Sequence, residues 1–436
     1  MVLGINEDCR CAEATSRAYS TPPSRRIRAA ATPLVACAVP HRRLLPPVVV
    51  SGRGAARLAA GHPWVYRSDV MRPAEEPGFA PVLNRRGRTL GWAAVHPSSE
   101  LAVRLVHSID APVDEATLVA RCEAALERRA ALARDPSAGM AGADGYRCVH
   151  AEADGLPGLV VDRLGPVLVV QNGCAALEPH LDAIVATLRR HLTPVGVLGR
   201  FDTAAREREG LPRAVQVLAG TVPEEVELSD GALRWPVRPR EGQKTGAFLD
   251  QRLNHRRLAQ HARGEALDVF AYHGGFGLHL ARAGAERVTL VDSSAQALET
   301  ARSAAARNGL PEPSLVRSDA FEQLRALDRA GARFDVIALD PPALAKHARD
   351  LPRALAGYKE LNLRALRLLA PGGVLGTASC SARLPEAEFL NVLTDAAADA
   401  GRTLHVLGRF GAAPDHPERL GFPESAYLKF VMLRAL

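Results

Sequence analysis

The sequence predicts an α/β chain. Residues 225–436 are read as a doubly wound sheet with its last strand antiparallel, behind a small β-barrel (47–110) and a central α+β unit (111–224). Three observations predict it. Short apolar runs alternate with amphipathic helical stretches after Glu241. A glycine-rich turn, Tyr272-His273-Gly274-Gly275-Phe276-Gly277, closes the first of those runs, where sheets of this kind bind ligands. Upstream, Gly and Pro punctuate short β-like runs instead.

Residues 1–46 hold seven Arg against three acidic residues, and Ser16–Arg28 is rich in Ser, Pro and Arg without an apolar period. That composition predicts a disordered extension. A transit peptide would share the Arg and Ser content, but Glu7, Asp8 and Glu13 count against it.

The barrel is read from Pro47–Val50, Ala80–Asn84, Leu90–Val95 and Leu101–Val106. Asp114–Ala133 predicts a helix, because Leu118, Cys122, Leu126 and Ala130 recur every four residues. Pro136–Gly145 reads as a loop. The central unit has strands at Leu159–Asp162, Val167–Gln171, Gly196–Gly199 and Val215–Leu218, with a helix at His180–His191. Ser229-Asp230-Gly231 marks a hairpin between Glu225–Leu228 and Ala232–Val237. Then β and α alternate. The strands are Leu267–Tyr272, Arg287–Val291, Leu315–Ser318, Phe334–Leu339 and Val374–Ser379. The helices that follow them are Gly277–Ala283, Ala295–Asn308, Ala320–Ala330, Leu355–Ala370 and Glu386–Ala400. Strands at Leu404–Arg409 and Ala426–Leu433 close the chain.

Composition narrows the class. With 436 residues, 47% hydrophobic and 24% charged, the chain can bury two or three cores. No apolar run reaches the roughly 18 residues of a membrane span, so no membrane partner is expected. The net charge is +7, more than half of it in residues 1–46, so a nucleic-acid partner is permitted rather than demanded. Four Lys against 51 Arg point to a GC-rich genome. Seven scattered Cys, with no CxxC and no His–Cys cluster at zinc spacing, predict a reducing cytoplasm and no metal.

The glycine turn predicts a nucleoside site. Gly274, Gly275 and Gly277 let backbone approach a ligand closely. Asp292 ends the second strand, placed to accept from two ribose hydroxyls. Asp319 follows the third strand, placed to meet an adenine amino group or to cap the next helix. A nicotinamide dinucleotide would prefer GxGxxG, which is absent here. The fourth strand ends in Asp340-Pro341-Pro342 and the fifth in Ser379-Cys380-Ser381. Those strands are normally neighbours, so Asp340 and Cys380 should share the ligand-bearing edge. A thiolate added to carbon 6 of cytosine makes carbon 5 able to take a methyl group, with a polar group at the ring's edge. Taken alone, Cys380 also suits a small buried strand-end residue, and the Asp-Pro-Pro run suits a turn.

At these residues the chain resembles the RlmI-type 23S ribosomal RNA (cytosine-5-)-methyltransferases. The resemblance rests on Glu241-Gly242-Gln243-Lys244-Thr245-Gly246-Ala247-Phe248-Leu249-Asp250-Gln251-Arg252, on the glycine turn, on Asp340-Pro341-Pro342 and Ser379-Cys380-Ser381, and on Gly357-Tyr358-Lys359-Glu360-Leu361-Asn362. Upstream it includes Gly61-His62-Pro63-Trp64-Val65-Tyr66, Glu152–Leu159 and Arg206–Leu211. It spans Val48 to the end. It implies a PUA domain, a central α+β domain and a Rossmann-like class I methyltransferase domain. It also implies S-adenosylmethionine as cofactor, ribosomal RNA (naked or in a precursor particle) as partner, and Cys380 as nucleophile with Asp340. Tyr272, Phe248, Asp250, Gln251 and Asp340 would line the cofactor pocket. Lys244, Pro341, Pro342, Lys359 and Arg383 would face RNA. Relatives with the same 241–252 segment methylate guanine, so the base stays open, as does a homodimer and a non-catalytic RNA-binding role. His273 stands where Thr is usual, and Leu344 where an aromatic is common. Arg53, Arg57 and Arg67 are further RNA candidates, and Trp64 is either a core residue or a stacking platform.

Overall fold

Ser51 accepts the backbone N–H of Gly54 at 3.1 Å and so starts a helix that the glycines of Gly52–Ala59 conceal from a periodicity reading. A computed structural model describes residues 45–242, 245–345 and 348–436. The expectations for residues 1–44 and for Lys244 lie outside them.

That helix, α1, follows β1 (Val48–Val50). β2 (Trp64–Val65), β3 (Val70–Arg72), β4 (Gly78–Leu83), β5 (Thr89–Val95) and β6 (Val103–His107) complete a six-stranded sheet of order β2-β6-β5-β4-β1-β3. Val50, Val65, Ala80, Val82, Ala93 and Val103 are its buried core.

Asp114 caps α2 (Glu115–Arg134) by accepting from Thr117 N at 2.8 Å. β7 (Gly145–His150) takes the end of the expected loop. With β8 (Leu159–Leu164), β9 (Val167–Asn172), β10 (Gly196–Arg200) and β11 (Val215–Gly220) it forms a second sheet, order β11-β10-β9-β8-β7. α3 (Leu181–Leu192) packs beside α2, and α4 (Ala204–Arg208) follows β10.

β12 (Val226–Ser229) and β13 (Arg234–Val237) pair as the expected hairpin, and α5 (Arg252–Ala259) leads into the last sheet. Its elements are β14 (Glu265–Val269), α6 (Gly275–Arg282), β15 (Arg287–Asp292), α7 (Ala295–Arg307), β16 (Ser314–Arg317), α8 (Ala320–Arg329), β17 (Phe334–Leu339), α9 (Leu351–Leu368), β18 (Leu369–Ser379), α10 (Glu386–Ala400), β19 (Leu404–Phe410) and β20 (Lys429–Ala435). The order is β16-β15-β14-β17-β18-β20-β19, parallel except for β20. Alternate residues of each strand feed opposite faces: Leu267, Ile337 and Leu375 pack under α8–α10, while Ala266, Val336 and Val374 pack under α5–α7. This is the doubly wound sheet, last strand reversed. Strand order breaks between β14 and β17, which places a ligand at their carboxyl ends. No helix among the described residues is long and apolar enough to cross a membrane.

Candidate active site

β14 stops at Val269, short of the expected Tyr272, because Phe270 (φ +63°) and Tyr272 (φ +47°) are left-handed. Such backbone costs a non-glycine residue about 1–2 kcal/mol and survives only where neighbours fix it. Here Ala271 N donates to Val291 O at 3.0 Å and Tyr272 N to Asp292 Oδ2 at 2.9 Å. Tyr272 stacks on His273, with centroids 3.7 Å apart, and meets Phe248 edge-on at 5.0 Å. Burial lowers the His273 pKa to about 4, so its ring is neutral.

The turn opens on a cavity of about 650 Å³. Phe248, Asp250 and Gln251 form one side, Tyr272, Gly275 and Asp292 another, and Asp340, Pro341, Pro342 and Cys380 a third. Asp340 and Cys380 therefore open onto one space. The register explains why: β17 and β18 are bonded neighbours with Leu339 opposite Thr377, so both chains leave the sheet at the same edge. Cys380 is half-buried, and its thiol lies 3.8 Å from Pro341 O.

Hydroxyls hold the turn that presents it. Ser379 Oγ donates to Tyr358 Oη at 3.0 Å, Tyr358 Oη and Ser381 Oγ are bonded at 3.0 Å, and Ala345 N donates to Ser381 Oγ at 3.3 Å. Lys429 stands opposite Ser379 in β20, and its Nζ donates to Ser381 O at 2.7 Å and Tyr427 O at 2.8 Å. Burial pulls its pKa to about 8, with nearby Cys380 and Glu386 opposing that fall. Lys429, Tyr358 and Ser381 were given no role from sequence; that Lys is scarce in this chain was the available signal for the first.

Other expected residues fall elsewhere. Gly274 and Gly277 lie behind the cavity wall. A Cβ on Gly277 would sit 2.3 Å from Leu290 Cδ2, so this glycine lets α6 lie directly on β15. Its N–H donates to Asp268 Oδ2 at 2.8 Å. Burial raises the Asp268 pKa to about 7; the Gly277 bond opposes this, and Asp340 and Asp292 add to it. A lone acid within the apolar run of β14 was the signal for Asp268. Asp319 caps α8, accepting from Glu322 N at 3.1 Å, and is exposed outside the cavity wall. Lys359 does not reach the cavity: it pairs with Asp399 of α10 at 2.9 Å. Asn362, from the same motif, is buried and donates to Tyr358 O at 2.8 Å. Leu344 packs into the core beside α9. Arg383 is exposed three residues after Cys380.

In the first sheet, Arg53 pairs with Asp69 at 2.7 Å, Arg57 lies over the Tyr66 ring, and Arg67 donates to Ser98 O. Trp64 is a packing residue: its indole donates to Glu152 at 2.9 Å and its ring meets Phe422 edge-on at 4.6 Å. A further cluster escaped sequence spacing because β12–β13, α5 and α6 each supply one member. Asp230, His255 and His279 bring ligating atoms within 4.8 Å of one another. His279 Nε2 is 3.0 Å from Asp230 Oδ2, and Nδ1 donates to Gly275 O at 2.8 Å. Burial would raise Asp230, but His279 outweighs it and holds the carboxyl well below its usual range. Burial, then His279, lowers His255 to about 3.

Residues 154–434 match the family model of S-adenosylmethionine-dependent methyltransferases, and residues 48–108 that of PUA-like domains. The ribosomal RNA large subunit methyltransferase I of Aeromonas hydrophila is 37% identical over 396 residues, covering 89% of this chain and 98% of the relative. That of Pseudoalteromonas atlantica is 36% identical over 386 residues, covering 87% and 96%. A ribosomal RNA large subunit methyltransferase of Deinococcus radiodurans is 38% identical over 397 residues, covering 88% and 96%. Among solved structures, a SAM-dependent methyltransferase from Streptococcus mutans superposes with TM-score 0.76 at 19% identity, covering 89% of this chain and 99% of that one. A methyltransferase complexed with SAH gives the same values. With its edge cavity, its strand order and these matches, the chain belongs to the S-adenosylmethionine-dependent methyltransferases, in the family of ribosomal RNA large subunit methyltransferase I.

Proposed function

We propose that this chain methylates carbon 5 of a cytosine in large-subunit ribosomal RNA through a covalent adduct on Cys380. The observation that carries the reading is the shared cavity of Cys380 and Asp340 beside the glycine turn.

The cavity residues fit S-adenosylmethionine. Gln251 lines the cavity with a buried Nε2 that has no hydrogen-bond partner among the described residues, a donor suited to an acceptor such as a carboxylate. Asp292 offers carboxylate oxygens to ribose hydroxyls, and the Phe248 and Tyr272 rings offer apolar walls. When bound, the cofactor supplies an electrophilic methyl group.

The chain's residues do the rest. Pro341 and Pro342 stiffen the backbone beside the flipped base. Cys380 thiolate adds to carbon 6, forming an S–C bond and making carbon 5 nucleophilic. Asp340 supplies the polar group at the ring's edge. Once carbon 5 is methylated, a base takes its proton, the S–C bond breaks, and the thiolate is restored. Flipping the base costs a few kcal/mol, least in single-stranded loops. The PUA-like unit and exposed Arg383 hold the RNA backbone.

Two measurements test this. Nucleosides from ribosomal RNA treated with the enzyme should contain 5-methylcytosine by mass spectrometry; methylguanine instead would refute the base. Cys380→Ala should lose methylation by at least about a thousandfold while calorimetry shows cofactor uptake unchanged. Full activity in that variant would sink the covalent route.

A further inference from the structure

We propose that Lys429 is a positioning residue for Cys380: its buried amine takes the thiol proton, and the resulting ammonium is the thiolate's counterion. The proposal rests on Cys380 being the nucleophile.

The geometry is specific. Lys429 is 7% exposed, and Nζ is fixed by the carbonyls of Ser381 and Tyr427. Ser381 is bonded directly to Cys380, so the amine grips the turn that carries the thiol. Among the described residues the hydrogen bonds of Nζ go to those two carbonyls and no ion pair joins it to a carboxylate, although a buried ammonium ordinarily requires an anion. Lys429 is absent from the cavity wall, so it acts through Cys380 rather than on a ligand.

Among the described residues, these groups face the pair. From α9, Tyr358 bonds to Ser379 and Ser381, and burial raises its pKa. Tyr427, two residues before Lys429, donates to Asp250 at 2.7 Å, and burial, reinforced by that carboxylate, raises it too. Both phenols are therefore neutral near pH 8. Glu386 at the start of α10 acts on Lys429 only at longer range and is exposed. Asp340 shares the cavity with Cys380 from β17. Among the described residues, Cys380 is the acid whose charge acts most strongly on the amine, from the residue next to the carbonyl that Nζ grips.

Residue type matters as much as place. The chain uses Arg 51 times and Lys four times, yet Lys stands here. A guanidinium cannot give up its proton, whereas an amine can. A neutral amine has two N–H bonds, enough for both carbonyls, and one lone pair. The S–H bond breaks, a third N–H bond forms, and the electron pair stays on sulfur; no other reactant is needed.

The test is the pH dependence of Cys380 alkylation by iodoacetamide in the full chain, read at that peptide by mass spectrometry. Burial pushes the thiols of Cys122 to about 12 and Cys174 to about 11, so neither competes near neutral pH. In the unmodified protein the alkylation midpoint should lie below the ordinary thiol value of about 8.5; a midpoint of about 9 or higher would overturn the proposal without any variant. Lys429→Met should raise the midpoint by about one pH unit and slow alkylation roughly tenfold at pH 7.5, with cofactor affinity unchanged. Lys429→Arg, a permanent cation, should keep the midpoint low. An unshifted midpoint in a folded Lys429→Met chain refutes the role of Lys429. Methylation surviving in Cys380→Ala refutes the nucleophile instead, so the two failures are told apart.

Discussion

At the scale of single residues, Asp268 ties the glycine turn to pH. It is fully buried, holds Gly277 N, and has its pKa raised to about 7, chiefly by burial. In the unfolded chain it would ionise near 4. Its folded form therefore keeps a proton that the unfolded form has lost. The contribution to stability is full below about pH 4 and disappears as pH rises through 7, with a slope of roughly 1.4 kcal/mol per pH unit. Asp268→Asn retains an oxygen for Gly277 and removes the titration. The melting temperature of the variant relative to the parent should climb from pH 5 to pH 8; parallel curves would contradict this. Sequence reading reached Cys380, Asp340 and Asp292 because each ends a predicted strand. It passed over Asp268 and Lys429, whose chemistry comes from burial and from neighbours remote in the chain.

Among elements, legibility followed the clarity of the hydrophobic period. The strands and helices after Glu265 were recovered because Gly, Asp and Pro punctuate apolar runs there. The Gly-rich α1 and the mixed polar β7 were not, since neither shows a clean period. The end of β14 was misplaced because nothing in Phe270 or Tyr272 announces a left-handed backbone. Two substitutions probe the elements that frame the cavity. Asp319→Ala should lower stability by about 1 kcal/mol through loss of the α8 cap, and Asp319→Ser should restore it; denaturant midpoints of both variants decide. Gly277→Ala would gain helix propensity, yet its methyl meets Leu290 Cδ2 at 2.3 Å. Overpacking should win, destabilising the chain by about 1–3 kcal/mol in the same assay.

For the molecule as a whole, buried polar ties join sheets that sequence reading described only as separate units. Asp415 accepts from Arg147 N at 2.8 Å through its carboxylate and pairs with Arg252 at 2.8 Å, while its carbonyl accepts from Arg129 at 2.8 Å. Burial would raise its carboxyl, but His416, Arg252 and the Arg147 N–H outweigh it and hold it well below the usual range. That stability is present above about pH 4 and is lost as pH falls. Asp415→Asn should cost about 3–5 kcal/mol at pH 7, because Arg252 is left buried without its anion, and the gap should narrow at pH 3; urea unfolding at both values measures it. Apart from the adjacent His416, the partners of Asp415 are remote from it in sequence, so no motif could reveal them. The stretch from Asp415 to Leu428 touches three places in turn: the central arginines at Asp415, the Trp64 ring at Phe422, and the cavity wall at Leu428. Mechanically it is a short drawbar. A displacement of the Trp64 indole would pull, through Phe422, on chain six residues from Leu428 and the cavity wall.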